Sequence, residues 1–226
     1  ILALELRGHG DSDWDPEANY GLFFYLKDLE DLVEALKLPP SILIGNAMGG
    51  MIFLAYAARH PDKARALVMV DSAIEGLPEG GSGIREFVQG PDELDSLEAF
   101  VERAYQFNPR RSREQYMGSL QHSIKQLPSG KWTWKYDKIF RDPNRRRAPS
   151  HTSQQLWEFA AQVKCPSLVV RGALSRSWSQ ETAERLRDTM PGSRLVTLEG
   201  AGHIAMGDKP VEFEREARKL LRRLAS

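Results

Sequence analysis

The stretch Ser41-Ile42-Leu43-Ile44-Gly45-Asn46-Ala47-Met48-Gly49-Gly50-Met51 constrains the fold of this chain more than any other. A short run rich in β-branched residues ends at one glycine, and two more glycines follow four residues on. An alanine-rich apolar pattern then continues to His60, with Pro61 just beyond. The β-branched run predicts a buried strand, and the apolar recurrence after it predicts a helix. The chain must therefore pass from strand to helix through a tight turn. Glycine suits positions 45 and 49 because a side chain would clash where the two backbones nearly touch. Position 47, at the centre of the turn, carries only a methyl group.

A chain of 226 residues suits one α/β domain with a sizeable core. The apolar run Ala66–Val70 ends at Asp71 and reads as a strand buried on both faces of a parallel sheet. Right-handed crossovers then predict helices on alternate sides of that sheet. Ser167–Gly172 and Arg194–Leu198 read as two further strands, and Ile1–Leu6 as another. Leu22, Leu26, Leu29, Val33 and Leu36 recur at helical spacing, and Pro39-Pro40 ends that helix. A helix is predicted over Glu181–Met190. Pro210, suited to a first helical turn, opens a closing helix that sets Val211, Phe213, Ala217, Leu220, Leu221 and Leu224 among charges.

Between residues 76 and 165 the pattern changes. Gly76, Gly80, Gly81 and Gly83 make a flexible exit, helices are predicted near 82–89, 94–107, 112–124 and 153–161, and no sheet strand is evident. The aromatic side chains Trp132, Trp134, Tyr136 and Trp157 fall in this span and are candidates to line an apolar pocket.

Charge narrows the function classes. Lys plus Arg and Asp plus Glu are both 31, so no general pull toward nucleic acid or membrane is expected. The first hundred residues are acidic and the rest basic. Arg145-Arg146-Arg147, with Arg110, Arg111, Arg113 and Arg141, reads as solvated surface. The single Cys165 excludes an intrachain disulfide and points to a reducing, cytoplasmic setting. No apolar run reaches membrane-span length. The histidines are scattered, so no metal cluster is expected. No Gly-x-Gly-x-x-Gly opens a nucleotide site, so no cofactor is expected either. The expected partner is a small-molecule substrate.

The turn Gly45-x-Ala47-x-Gly49 resembles the nucleophile elbow, Gly-x-Ser-x-Gly, of the α/β-hydrolase fold. Arg7-Gly8-His9-Gly10-Asp11-Ser12 after the first strand pattern, and Gly200-Ala201-Gly202-His203 after the last, also resemble that family. So does Trp132-Thr133-Trp134-Lys135-Tyr136-Asp137, which is similar to a cap segment of esterase-like members. The resemblance implies a three-layer α/β sheet whose core is residues 1–75 and 165–226, with a helical cap over 76–164. It also implies that the family's N-terminal strands are missing, so the expectation is a preceding segment, a partner chain or self-association that completes the sheet, or else a rearranged sheet. Ala47 then stands at the nucleophile position, His203 at the base, and the Met48 amide at the oxyanion hole.

The acid is open. Relatives carry an aspartate in a segment resembling Gly-x-x-Ser-Asp, where this chain reads Gly172-Ala173-Leu174-Ser175-Arg176. Arg176 would repel an imidazolium. Asp71 is the other candidate, with Glu199 behind it. The implied substrate is a medium-sized, partly apolar ester, lactone or C–C diketone. The implied activity is silenced at Ala47. The alternatives are a ligand-binding or regulatory pseudo-hydrolase, or non-hydrolytic chemistry with His203 as base.

Overall fold

The structure, a computed structural model, describes residues 1–77, 82–142, 144 and 151–225. In chain order its elements begin α1 (Leu22–Ala35), β1 (Ser41–Asn46), α2 (Met48–Arg59), β2 (Ala64–Val70), α3 (Ser82–Gln89) and β3 (Glu93–Leu94). Then come α4 (Leu97–Phe107), α5 (Arg113–Ser123), β4 (Ile124–Gln126), β5 (Trp132–Trp134) and a 3-10 turn over Lys138–Arg141. The chain closes with α6 (Ser153–Gln162), β6 (Ser167–Gly172), α7 (Gln180–Thr189), β7 (Ser193–Leu198), α8 (Ala205–Asp208) and α9 (Pro210–Ala225). Gly80, Gly81 and the Arg145-Arg146-Arg147 run lie outside the described residues. Among the described residues, no helix is long and apolar enough to cross a membrane.

The chain forms two compact units, one of residues 1–20 with 81–148 and one of residues 21–80 with 149–226. The second unit holds a parallel sheet of order β1-β2-β6-β7. Residues 66–70 of β2 and the whole of β6 are continuously buried because both their faces are covered, whereas Ile42 and Ile44 of β1 are exposed. Ala66, Val68, Val70, Leu168 and Val170 pack on one face with Leu198, Ala201, Ala205 and Leu220, beneath α8 and α9. On the other side α1, α2, α6 and α7 pack in succession. The expectation of helices on alternate sides is corrected here. Each crossover moves one way across the sheet, β1 to β2 to β6 to β7, so right-handedness puts the crossover helices on one face. Only the chain after β7 covers the other.

A second correction concerns Ile1–Leu6, which forms no strand. β1 pairs only with β2 in this sheet, and residues 1–5 are exposed. An apolar segment becomes a strand only when a neighbour takes its ladder bonds. Here the segment leads into the first unit. The Gly8 carbonyl accepts from Asp137 N–H at 2.8 Å, and Tyr20 Oη–H donates to Asp137 Oδ2 at 2.5 Å. Burial, and then that acceptor, push the Tyr20 hydroxyl up to about 12.

The first unit also contains strands where none was evident from the sequence. β3, β5 and β4 form an antiparallel sheet. These runs are two or three residues long, too short for a period-two pattern to declare itself. Their sheet lies against α4 and α5, where Phe100, Val101, Tyr116, Leu120 and Ile124 make an apolar cluster. Ser112 and Gln115 form a reciprocal cap at the start of α5, which satisfies amides left open there.

Candidate active site

The turn between β1 and α2 bends sharply at Ala47, with φ 49° and ψ −116°. That left-handed conformation is strained for any residue but glycine. It is held by Ala47 N–H donating to the Val70 carbonyl at 2.9 Å and by the Ala47 carbonyl accepting from Met51 N–H at 3.2 Å. Ala47→Gly is therefore expected to raise stability by about 1 kcal/mol, read from a urea unfolding midpoint. The glycines around it divide into two kinds. A Cβ on Gly45 would lie 2.4 Å from the Gly49 carbonyl carbon, and one on Gly50 would lie 1.9 Å from Ser72 Oγ. A Cβ on Gly49 would meet nothing within 4 Å. The strand backbone does approach Gly49, but the clash expected for a side chain at Gly49 falls instead on side chains at Gly45 and Gly50.

Met48 opens α2. Its N–H is among the first of the helix and has no acceptor within it. The positive end of the helix dipole lies at the same place and favours negative charge.

Parallel strands bring their C-terminal ends to one edge of the sheet, and the remaining groups gather there. Asp71 directly follows β2, has φ 46° and is 1% exposed. His203 follows β7 and keeps 28% of its side chain exposed. His203 Nδ1 lies 2.7 Å from Asp71 Oδ2. A carboxylate oxygen only accepts, so Nδ1 carries the proton and Nε2 of the neutral ring keeps its lone pair. Asn46, immediately before Ala47, donates through Nδ2 to the Val70 carbonyl at 2.9 Å and to the His203 carbonyl at 3.2 Å. It ties the turn to the histidine loop.

The loop after β6 supplies the rest. Asp71 accepts from Gly172 N–H at 3.2 Å, from Ser175 Oγ–H at 2.5 Å and from Trp178 Nε1–H at 3.1 Å. Ser177 Oγ lies 3.0 Å from His203 Nδ1. Arg176, at the position where the sequence resemblance leads an aspartate to be expected, is exposed, as is Glu199. The reading of the sequence missed Asn46, Ser175, Ser177 and Trp178. For the last three the local signal is the run Ser175-Arg176-Ser177-Trp178-Ser179, which reads equally well as an ordinary loop, while Asn46 lies inside the glycine-flanked turn itself.

The aromatic pocket candidates fall in different units. Trp132, Trp134 and Tyr136 belong to the first. There Trp132 and Trp134 pack on the cluster around Phe100, with Trp134 edge-on to Phe100 at 5.0 Å. Tyr136 Oη lies 3.2 Å from Arg141 Nη1 and 3.5 Å from Asp92 Oδ1. Trp157 belongs to the second unit. Its Nε1–H donates to Glu75 at 2.7 Å, and the Arg185 guanidinium stacks 4.1 Å above its ring.

A parallel sheet with a strained strand-to-helix turn, and an aspartate–histidine pair at the same sheet edge, defines a protein of hydrolase type. Comparison with known proteins agrees. Residues 1–210 match the family described as alpha/beta hydrolase fold. Esterase Rv0045c of Mycobacterium tuberculosis is 27% identical over 218 residues, spanning 92% of this chain and 70% of that protein. Esterase YbfF of Escherichia coli is 25% identical over 227 residues, spanning 98% of this chain and 82% of that protein. An alpha/beta hydrolase structure from Novosphingobium aromaticivorans superposes with a TM-score of 0.78 at 29% identity, over 96% of this chain and 78% of that one. The chain belongs to the alpha/beta-hydrolase fold family.

Proposed function

We propose that this chain is an ester-type hydrolase by descent whose turnover is silenced at Ala47. Its site takes a medium-sized, partly apolar ester, lactone or C–C diketone and holds it without cleaving it. The observation that carries this reading is the 2.7 Å contact between His203 Nδ1 and Asp71 Oδ2. In the roles proposed, Asp71 is the acid and His203 the base. The Met48 amide is an oxyanion donor, and position 47 is where the attacking hydroxyl would stand. Each role matches a requirement of acyl transfer: an alcohol, a base in reach, a group that orients the base, and donors facing the developing charge. Only the alcohol is lacking. A methyl group has no lone pair to attack a carbonyl, so the remaining groups act on bound substrate as a binding site.

The functional division proposed is a hydrolase core over residues 1–75 and 165–226 and a cap over 76–164. Relatives named as esterases support the ester class, and one named as a 2-hydroxymuconate semialdehyde hydrolase supports the C–C class.

The test is Ala47→Ser, assayed on short p-nitrophenyl esters. Turnover that vanishes again with His203→Ala supports the reading. A serine-bearing variant that binds such esters and never turns them over overturns it in favour of a binding protein.

A further inference from the structure

The loop over residues 172–178 holds more polar contacts than a connection between a strand and a helix needs, and they converge on one carboxylate. Asp71 lies at 1% exposure, where an anion without donors would be very costly. Besides His203, it receives the Gly172 amide, the Ser175 hydroxyl and the Trp178 indole N–H. The donors divide between its oxygens. Gly172 and Trp178 serve Oδ1, and Ser175 shares Oδ2 with His203. Such a set leaves the carboxylate a single rotamer, in which Oδ2 meets the imidazole.

The loop is itself fastened from beneath. Arg171, at 9% exposure, donates to the carbonyls of Ala173, Ser175 and Trp178 at 3.4, 3.3 and 3.2 Å. Among the described residues Arg171 makes no ion pair, and its Nε has no hydrogen-bond partner. A buried guanidinium spent on three carbonyls of one short loop fixes that loop's path. Trp178, at 0% exposure, anchors the far end. The Ser177 N–H donates to Ser175 Oγ at 3.2 Å, which aims the Ser175 hydroxyl proton toward Asp71. Ser177 Oγ meanwhile sits beside the Nδ1–H of His203 as a second acceptor.

We propose that Ser175 and Trp178, on the loop that Arg171 clamps, are positioning residues that fix the Asp71 carboxylate against His203. The loop after β6 thus serves an acid that directly follows the neighbouring strand β2. This proposal rests on the roles given above to Asp71 and His203, and its test separates the two.

The first readout needs no turnover. In the chain as it stands, the His203 Nδ1–H proton is followed by NMR through its coupling to the ring nitrogen, with Asp71→Asn fixing the assignment. Ser175→Ala and Trp178→Phe, singly and together, are expected to move this resonance upfield and broaden it. Ser175→Thr, which keeps the hydroxyl, is expected to restore it. Far-ultraviolet circular dichroism and the thermal midpoint establish that each variant is folded, and Ser175→Ala, the loss of one oxygen, serves should Trp178→Phe not fold. The second readout uses the Ala47→Ser background. There each loss is expected to lower kcat about tenfold with KM little changed, the size of one charge-assisted hydrogen bond. Folded variants whose Nδ1–H resonance matches that of the parent overturn the positioning role. A shifted resonance without any turnover in the Ala47→Ser chain upholds positioning and overturns the hydrolase reading instead.

Discussion

Ala47→Ser is expected to convert this chain into an esterase, and Asp71→Asn in that background to lower its kcat about 10⁴-fold. The first half follows from geometry already in place. The strained turn at φ 49° would raise the introduced hydroxyl over the sheet edge that carries His203 and Asp71. With Nδ1–H bound to Asp71, the Nε2 lone pair is free to take the hydroxyl proton as the oxygen attacks an ester carbonyl. The imidazolium so formed returns that proton to the leaving alcohol. In the role proposed for it, the Met48 N–H at the N-terminus of α2 would stabilise the charge that develops on the carbonyl oxygen. The second half follows from the chemistry of an amide. An asparagine in place of Asp71 can offer its NH₂ to Nδ1, which favours the tautomer with the proton on Nε2 and leaves nothing to accept the hydroxyl proton. Burst and steady-state kinetics on p-nitrophenyl acetate measure both effects. A serine-bearing chain that loses little activity with Asp71→Asn would show that the carboxylate is not the orienting acid.

Gly45→Ala is expected to cost about 3 kcal/mol or more, because the added atom meets backbone and not a side chain that can turn aside. Its Cβ would stand 2.4 Å from the Gly49 carbonyl carbon, 2.5 Å from the Gly49 oxygen and 2.5 Å from the Gly50 nitrogen. These atoms form the first turn of α2, so relief requires that helix to move from β1. Yet α2 packs on β1, β2, α1 and α6 together, and Leu54 and Ala55 on it are wholly buried. The strain cannot be absorbed locally. Gly49→Ala is the control with the opposite sign. Its Cβ meets nothing within 4 Å. Alanine there is expected to stabilise the helix by up to about 1 kcal/mol. Urea unfolding of the two variants side by side decides the matter, since two substitutions of equal cost would mean that the close approach at Gly45 is relieved some other way.

Reading of the chain goes furthest where the information is local. The strand, turn and helix around Ala47 are legible because glycine spacing and apolar recurrence act within a few residues. The same holds for α1, for the apolar runs of β2 and β6, and for the proline that opens α9. Gly49 shows the limit of even that reading. The glycine pattern marks the turn, but which glycine touches a neighbour depends on where Ser72 and the strand backbone lie.

What the tertiary structure alone decided is pairing. Asp71 and His203 are 132 residues apart, and their meeting depends on β2, β6 and β7 lying in order so that their C-terminal ends share an edge. Charge sets Arg176 aside, but nothing in the residues near Asp71 or Glu199 says which of the two faces the imidazole. Strand order likewise decided that the crossover helices share one face. Propensity and periodicity act between residues close in sequence, whereas ladder bonds and buried carboxylates are satisfied by groups that only the assembled sheet brings near.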